Sequence, residues 1–241
     1  MIKCVTFDLD DTLWAIDPVI EIANNSLFDW LNRNAELFTR QFSIDDLPRL
    51  RDEVLSRYPE ISHSVTQIRL RLLQEGMRTA GYTPEEAEAL ALQAFEVYLE
   101  ARHQVEFFEH ALTMLKILRE RNLLIGALSN GNADVKRVGL ADYFDFQFNA
   151  EGTGQEKPHP LMFEHALAHA GLRPEQVVHV GDHPVHDIEG AHNAGFWTIW
   201  VNQNGQEWPG GPAPTQTVRT LSDIPQALIE IAELAALRVT L

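Results

Sequence analysis

Residues 2–14 read IKCVTFDLDDTLW, an apolar run rich in β-branched types that stops abruptly at Asp8. Such a run bounded by charge predicts a strand over 2–7 that delivers acidic residues at its carboxyl end. In extended backbone successive side chains alternate, so Asp8 and Asp10 are expected on the same side, two carboxylates crowding one place. Outward from there, about 18–106 is helical in pattern: Ile20, Ala23, Leu27 and Leu31 recur at helical spacing, as do Ile68, Leu72 and Leu73. Thr83-Pro84-Glu85-Glu86 has the form of a helix start, with a threonine cap, proline in the first turn and a glutamate placed to close a capping box. A helical domain is therefore expected over 15–105, set between 1–14 and 106–241.

Beyond 106 helix and strand alternate. A helix is predicted at about 109–121, a strand at 123–128, a helix at 159–170, a strand at 177–180, a helix at 184–194 and a strand at 196–201. Strands separated by helices of this length imply right-handed crossovers in a parallel sheet. The fold class that follows is α/β: a Rossmann-like parallel sheet with helices on both faces, plus an inserted helical-bundle domain. Residues 203–216 (QNGQEWPGGPAPTQ) concentrate Gly and Pro and read as a surface loop before a last helix at about 222–237.

Composition agrees with this. At roughly 150 residues per domain, a chain of 241 fits one domain with a sizeable insertion. With 45% hydrophobic and 22% charged residues it can bury a large core and lacks the bias of a disordered chain. A net charge of −16 disfavours nucleic acid and anionic membrane surfaces as partners. The single cysteine, Cys4, excludes an intrachain disulfide and a Cys-held zinc, so a reducing, cytoplasmic setting is expected. No apolar run approaches the roughly 18 residues of a membrane span, and a soluble, unexported protein is expected.

In a doubly wound sheet ligands bind outside the carboxyl ends of the strands, so the residues just after each apolar run are the informative ones. The first run ends in Asp8 to Thr12. The second ends in Ser129-Asn130-Gly131-Asn132, a hydroxyl and backbone amides on a turn able to hold an anion. Lys157-Pro158 supplies a point charge in a loop, and Gly181-Asp182 with Asp187 brings more acid. Carboxylates gathered in this way repel and drift towards protonation unless a cation joins them. Oxygen donors without Cys point to magnesium over zinc. Magnesium, a lysine, a hydroxyl and backbone amides together suit a phosphoryl group, whose charge must be held while it is transferred.

FDLDDTLW, LSNGN, EKPHP and GDHPVHDIEGAHNAG, in that order, resemble the four motifs of the haloacid dehalogenase-like hydrolase superfamily. The resemblance implies a magnesium-dependent phosphatase of small phosphate esters. Asp8 would be the nucleophile that becomes an aspartyl phosphate and Asp10 the general acid and base. Asp8, the backbone carbonyl of Asp10 and Asp182 would hold magnesium. Asp187 would orient Lys157 or a water on the metal, Ser129, Asn130 and Lys157 would bind phosphate, and Thr12 would brace the loop.

Members of the superfamily that cleave carbon–halogen bonds lack the second aspartate of the first motif, so Asp10 favours phosphatase over dehalogenase. The insertion 15–105 occupies the cap position of the helical-cap subfamily, where a cap closes over substrate and excludes water. Within it Pro18-Val19-Ile20, Tyr58 to Thr66 and Arg69 resemble bacterial phosphatases of flavin mononucleotide and of 5-amino-6-(5-phospho-D-ribitylamino)uracil, an intermediate of riboflavin biosynthesis. Trp14, His63 and Arg69 are accordingly expected to meet substrate.

Three rivals remain: a phosphomutase using the same Asp8, a 2-haloacid dehalogenase, and a non-catalytic regulatory binding protein. The last has no need of a nucleophile and an acid–base pair. Ten histidines invite a metal reading, but His165 and His169, four apart on a predicted helix, have no identifiable third ligand and read as surface. His183, next to Asp182, is a candidate neighbour of the site.

Overall fold

The structure, a computed structural model, describes residues 1–239. The chain divides into two compact units, the segment Ile16–Val105 and a unit built from the stretches on either side of it.

The second unit contains a parallel sheet of six strands. They are β1 (Cys4–Phe7), β2 (Leu124–Ser129), β3 (Phe146–Asn149), β4 (Val177–Gly181), β5 (Trp197–Val201) and β6 (Gln216–Val218). Their order is β3-β2-β1-β4-β5-β6, with every neighbouring pair parallel. β1, β4 and β5 are buried along their whole length, which is why their sequences read as continuous apolar runs and not as an alternation. Cys4, Leu128, Phe146 and Val177 share one face of the sheet with Met162, Phe163 and Ala166 of a helix over Leu161–Ala170. A helix at Ala111–Glu120 and a last one at Ile224–Val239 pack on each other and against the sheet from the other side. Helices on both faces of a parallel sheet make the Rossmann-like core that the alternating pattern predicts.

The unit Ile16–Val105 is all helical among its described elements. Numbering the helices along the chain, α1 (Ile16–Asn34), α2 (Glu36–Thr39), α3 (Leu47–Arg57), α4 (Val65–Ala80) and α5 (Pro84–Arg102) form it. α5 packs against both α1 and α4. Its buried face carries Ala87, Ala91, Ala94 and Ala101, small side chains that let neighbouring helices approach, while Leu27, Leu31, Phe38, Leu73 and Met77 fill the core. The start of α5 is the expected capping box. The Glu86 amide donates to Thr83 Oγ1 at 3.3 Å and the Thr83 amide to Glu86 Oε2 at 2.9 Å, an arrangement worth about 1 kcal/mol.

Later helices are α6 (Ala111–Glu120), α7 (Ala150–Thr153), α8 (Leu161–Ala170), α9 (Gly190–Asn193) and α10 (Ile224–Val239). Three features depart from the sequence reading. β3 (FQFN) and β6 (QTV) were not expected; each is a short edge strand whose polar residues break the apolar signal, and Gln216 opens β6 where the loop was read to extend. The helix expected at 184–194 is a π-helical turn over Pro184–Glu189 that passes into α9. The last helix starts with a 3₁₀ turn at Leu221–Asp223 and runs on to Val239. Among the described residues no helix is long and apolar enough to cross a membrane.

The Cys4 thiol lies inside the sheet, and burial, with Asp145 adding repulsion, pushes its pKa up to about 12. Folded protein at mildly alkaline pH is therefore expected to resist iodoacetamide while denatured protein gains one adduct, counted by intact mass. Rapid labelling of the folded chain would contradict this placement.

Candidate active site

The strand order reverses direction between β1 and β4, and it is at the carboxyl ends of these two strands that the charged side chains meet. Asp8 follows β1 directly and shares the side of Cys4 and Thr6. Lys157 comes in from the loop before α8, its peptide bond to Pro158 cis. Its ammonium is fully engaged: Nζ donates to Asp8 Oδ1 at 2.8 Å, to Asp187 Oδ1 at 2.6 Å and to the Leu128 carbonyl at 2.5 Å. Burial alone would strip this lysine of its proton, but Asp187 and Asp8 reverse that and raise its pKa above the ordinary value.

Asp187 stands on the π turn, a distortion often found where a functional side chain must be aimed. Its Oδ2 accepts the His183 amide at 2.9 Å. The carboxyl lies over Gly181, where a Cβ would overlap it, so glycine is required by close approach. Asp182 is joined to the first loop through Thr12, whose buried hydroxyl donates to Asp182 Oδ1 and accepts the Asp182 amide, both at 3.1 Å. Trp200 of β5 donates its indole N–H to the Asp182 carbonyl at 2.7 Å.

Carboxylate oxygens of Asp8, Asp182 and Asp187 all lie within 4.8 Å of one another. Burial, then repulsion from Asp187 and Asp182, holds the Asp8 carboxyl well above the usual carboxylate range despite Lys157. Asp182 is pushed up to about 7 by burial first and then by Asp187 and Asp11. Burial acts on Asp187 too, but Lys157 and His179 outweigh it and keep that carboxyl ionised well below the usual range. With one lysine among three carboxyls, Asp8 and Asp182 are thus held above the usual carboxylate range for want of positive charge, and Asp187 alone below it. An oxygen-only donor set with this deficit suits a hard divalent cation.

Other expected residues take places of their own. Asp10 lies beyond the strand, in a tight turn with Asp11 in left-handed backbone, so turn geometry and not strand alternation positions it. Its Oδ1 accepts the Trp14 indole N–H at 2.8 Å. Trp14 is fully buried, edge-on to Phe107; it anchors Asp10 and offers no surface to a substrate. Asn130 likewise departs from a phosphate-binding role for its side chain. Its amide is engaged at both ends, Nδ2 donating to the Lys157 carbonyl at 2.9 Å and Oδ1 accepting the Lys157 amide at 2.7 Å. Ser129, buried at the end of β2, accepts the Gly131 amide at 3.0 Å.

In the helical unit Arg69 donates to Asn24 Oδ1 and Tyr98 Oη and stacks over the Tyr98 ring at 4.2 Å, while His63 is half-buried ahead of α4. His183 Nδ1 caps the π turn, accepting the Val185 and His186 amides, and its ring stacks on His186. His165 and His169 pack on the rings of Phe146 and Phe148. Sequence reading missed His179 and Trp200, both of which touch the acidic cluster from inside apolar strands.

A family model described as haloacid dehalogenase-like hydrolase matches residues 2–195, and the chain belongs to that family. The 5-amino-6-(5-phospho-D-ribitylamino)uracil phosphatase YigB of Escherichia coli strain K12 is 33% identical over 92% of this chain and 94% of its own. A glyceraldehyde 3-phosphate phosphatase of Methanopyrus kandleri is 30% identical over 84% of this chain and 85% of its own. A crystal structure described as 2-haloacid dehalogenase from Pseudomonas syringae pv. Tomato DC3000 matches with a TM-score of 0.91 at 42% identity, covering 95% of this chain and 99% of that one. The family and its named phosphatases make this chain a phosphoric monoester hydrolase.

Because Asp187 occupies the space a side chain at 181 would need, Gly181→Ala is expected to displace it. The variant should lose about tenfold or more in kcat and about 1–3 kcal/mol in stability, read by steady-state kinetics and thermal melting. Wild-type kinetics would contradict the close approach.

Proposed function

We propose that the chain is a magnesium-dependent phosphatase of small phosphorylated metabolites working through an aspartyl phosphate on Asp8. The observation that carries this reading is the buried Lys157 ammonium held between Asp8 and Asp187 beside Asp182. Asp8, at the mouth of a parallel sheet with Lys157 on its Oδ1, keeps its other oxygen to act as a nucleophile once a cation offsets the charge of its neighbours.

In the first step an Asp8 oxygen attacks phosphorus. The Asp8 O–P bond forms as the ester P–O bond breaks, and Asp10, carrying a proton, gives it to the leaving oxygen. In the second step water attacks the same phosphorus and surrenders its proton to Asp10. The Asp8 O–P bond breaks, which releases phosphate and returns both carboxyls to their starting state. Trp14 keeps Asp10 aimed for both transfers. Ser129 and Lys157 bind the phosphoryl oxygens. Asp8, Asp182 and the Asp10 backbone carbonyl would hold magnesium, which when bound supplies positive charge against the phosphoryl oxygens. Ser129 Oγ, Lys157 Nζ and the backbone amides after Ser129 orient the group for in-line displacement.

The substrate we propose is 5-amino-6-(5-phospho-D-ribitylamino)uracil or flavin mononucleotide, with His63 and Arg69 of the helical unit proposed to select it. Support comes from the relative that acts on the first compound and matches nearly the whole chain. A dehalogenase is the second reading, favoured by the similarity to the structure described under that name.

The test is phosphate release from a panel holding both compounds and several sugar phosphates, with magnesium or with chelator, beside halide release from a 2-haloacid. Magnesium-dependent phosphate release is expected. Asp8→Asn should abolish it, and Asp10→Asn should slow it by about 10²–10⁴-fold through loss of acid–base help. Halide release without phosphate release would transfer the assignment to the second reading, and full turnover by Asp8→Asn would remove the nucleophile from residue 8.

A further inference from the structure

His179 is a polar side chain in the middle of β4, fully buried in a strand that otherwise reads VVHVG. A polar group there is costly unless both ring nitrogens find partners. They do. Nε2 lies 3.2 Å from Asp187 Oδ1 and Nδ1 lies 2.8 Å from Thr6 Oγ1. Thr6 is the register neighbour of His179 in the β1–β4 pairing, so the backbone ladder itself delivers the hydroxyl to the ring.

The directions of these bonds follow from the chemistry of the donors. Asp187, paired with Lys157, is a carboxylate and only accepts, so the proton is on His179 Nε2. Burial keeps the ring neutral. Nδ1 is then a lone pair, and the Thr6 hydroxyl donates to it. Thr6 therefore selects the tautomer in which His179 can donate to Asp187. Phe163 of α8 meets the imidazole edge-on at 5.4 Å and 90°, which leaves the ring little freedom to turn.

Asp187 Oδ1 is thus gripped by two donors, Lys157 Nζ and His179 Nε2, while Oδ2 takes the His183 amide. The first donor belongs to the reacting site and the other two to the scaffold. We propose that His179 is a positioning residue: with Thr6 it pins Asp187 Oδ1, and through Asp187 it sets where the Lys157 ammonium stands against Asp8. The inference rests on the proposed role of Asp8 and Lys157 in phosphoryl transfer. It adds to that role a support lying inside the sheet, on groups that touch no substrate. Support of this kind is felt in rate more than in substrate binding, because a lysine displaced by a fraction of an ångström weakens stabilisation at the transition state.

The experiment is steady-state hydrolysis of p-nitrophenyl phosphate and flavin mononucleotide with magnesium, for variants that melt cooperatively. His179→Leu is expected to lower kcat about ten- to a hundredfold and to leave KM within about threefold. His179→Gln, whose amide nitrogen can reach the position of Nε2 and donate, should recover most of the loss. Thr6→Val, which keeps the shape but removes the tautomer-fixing hydroxyl, should lower kcat by about threefold or more, and Thr6→Ser should restore it.

Wild-type kcat in His179→Leu would overturn the proposal. So would a loss that neither Gln at 179 nor Ser at 6 relieves, since that pattern belongs to packing alone. If His179→Leu fails to fold, the Thr6→Val and Thr6→Ser pair decides by the same criterion. Asp8→Asn is assayed in parallel. Turnover persisting there would sink the nucleophile assignment, whereas a dead Asp8→Asn beside a fully active His179→Leu would sink only the positioning role.

Discussion

An ammonium buried between two carboxylates is the interaction on which the rest of this site depends. Removing a lysine and its partners from water costs several kcal/mol per ion, recovered only when the geometry is close and every donor is used. Lys157 meets that condition with three acceptors, Asp8, Asp187 and the Leu128 carbonyl. Each of these comes from the end of, or just beyond, a different strand or turn, and residue 157 is far from residue 8 along the chain. The parallel sheet is what brings them together: β1, β2 and β4 are neighbours, and their carboxyl ends open at one edge. The smaller features around the lysine serve the same contact. Asn130 grips the backbone of Lys157 from both sides, and Gly181 leaves room for Asp187 to reach Nζ.

The charge balance of the cluster explains the behaviour of its members. One lysine cannot neutralise three carboxyls, and the deficit falls unevenly. Asp187, with two donors on one oxygen, is held below the usual carboxylate range, while Asp8 and Asp182 are pushed above it. The two pushed upward are the ones assigned to the cation in our proposal, and Asp187 is the one assigned to the lysine. A divalent ion would reverse that upward push and favour ionised Asp8, the form a nucleophile requires. Metal binding and nucleophile activation are, on this reading, a single electrostatic event.

How far the chain could be read without coordinates follows from the same physics. β1, β2, β4 and β5 are buried and apolar, so they stood out, and the helical unit declared itself through its spacing and the capping box at Thr83. β3 and β6 lie at the sheet edges, have few residues and carry Gln and Asn, and no local signal marks them. The strand-end rule pointed to Asp8, Ser129, Lys157, Asp182 and Asp187, which the fold gathers. It misjudged the reason for Asp10, whose place is set by a turn and by Trp14 after the strand has ended. Trp14 and Asn130 were read as facing a ligand because they adjoin motifs, yet each turns inward to hold a neighbour. His179 was passed over because a histidine inside VVHV looks like core, and its partner Thr6 is 173 residues away in sequence. Long-range pairing across a parallel sheet has no local trace.

The likeness to a structure described as a haloacid dehalogenase sharpens the question of what decides the reaction. A TM-score of 0.91 means that the two backbones agree nearly throughout, so backbone alone cannot separate carbon–halogen from phosphorus–oxygen cleavage. The difference must sit in side chains. Halide leaves as a stable anion and needs no proton, whereas an alkoxide leaving from phosphorus is a strong base and needs one in the transition state. A carboxyl held beside the nucleophile, and aimed by a fixed hydrogen bond, is therefore a cost without benefit to a dehalogenase and a necessity to a phosphatase. Asp10, two residues after Asp8, carries such a carboxyl, and the buried Trp14 indole holds it at 2.8 Å. The pairing of Asp10 with Trp14 weighs against the neighbour's description and in favour of phosphate ester chemistry.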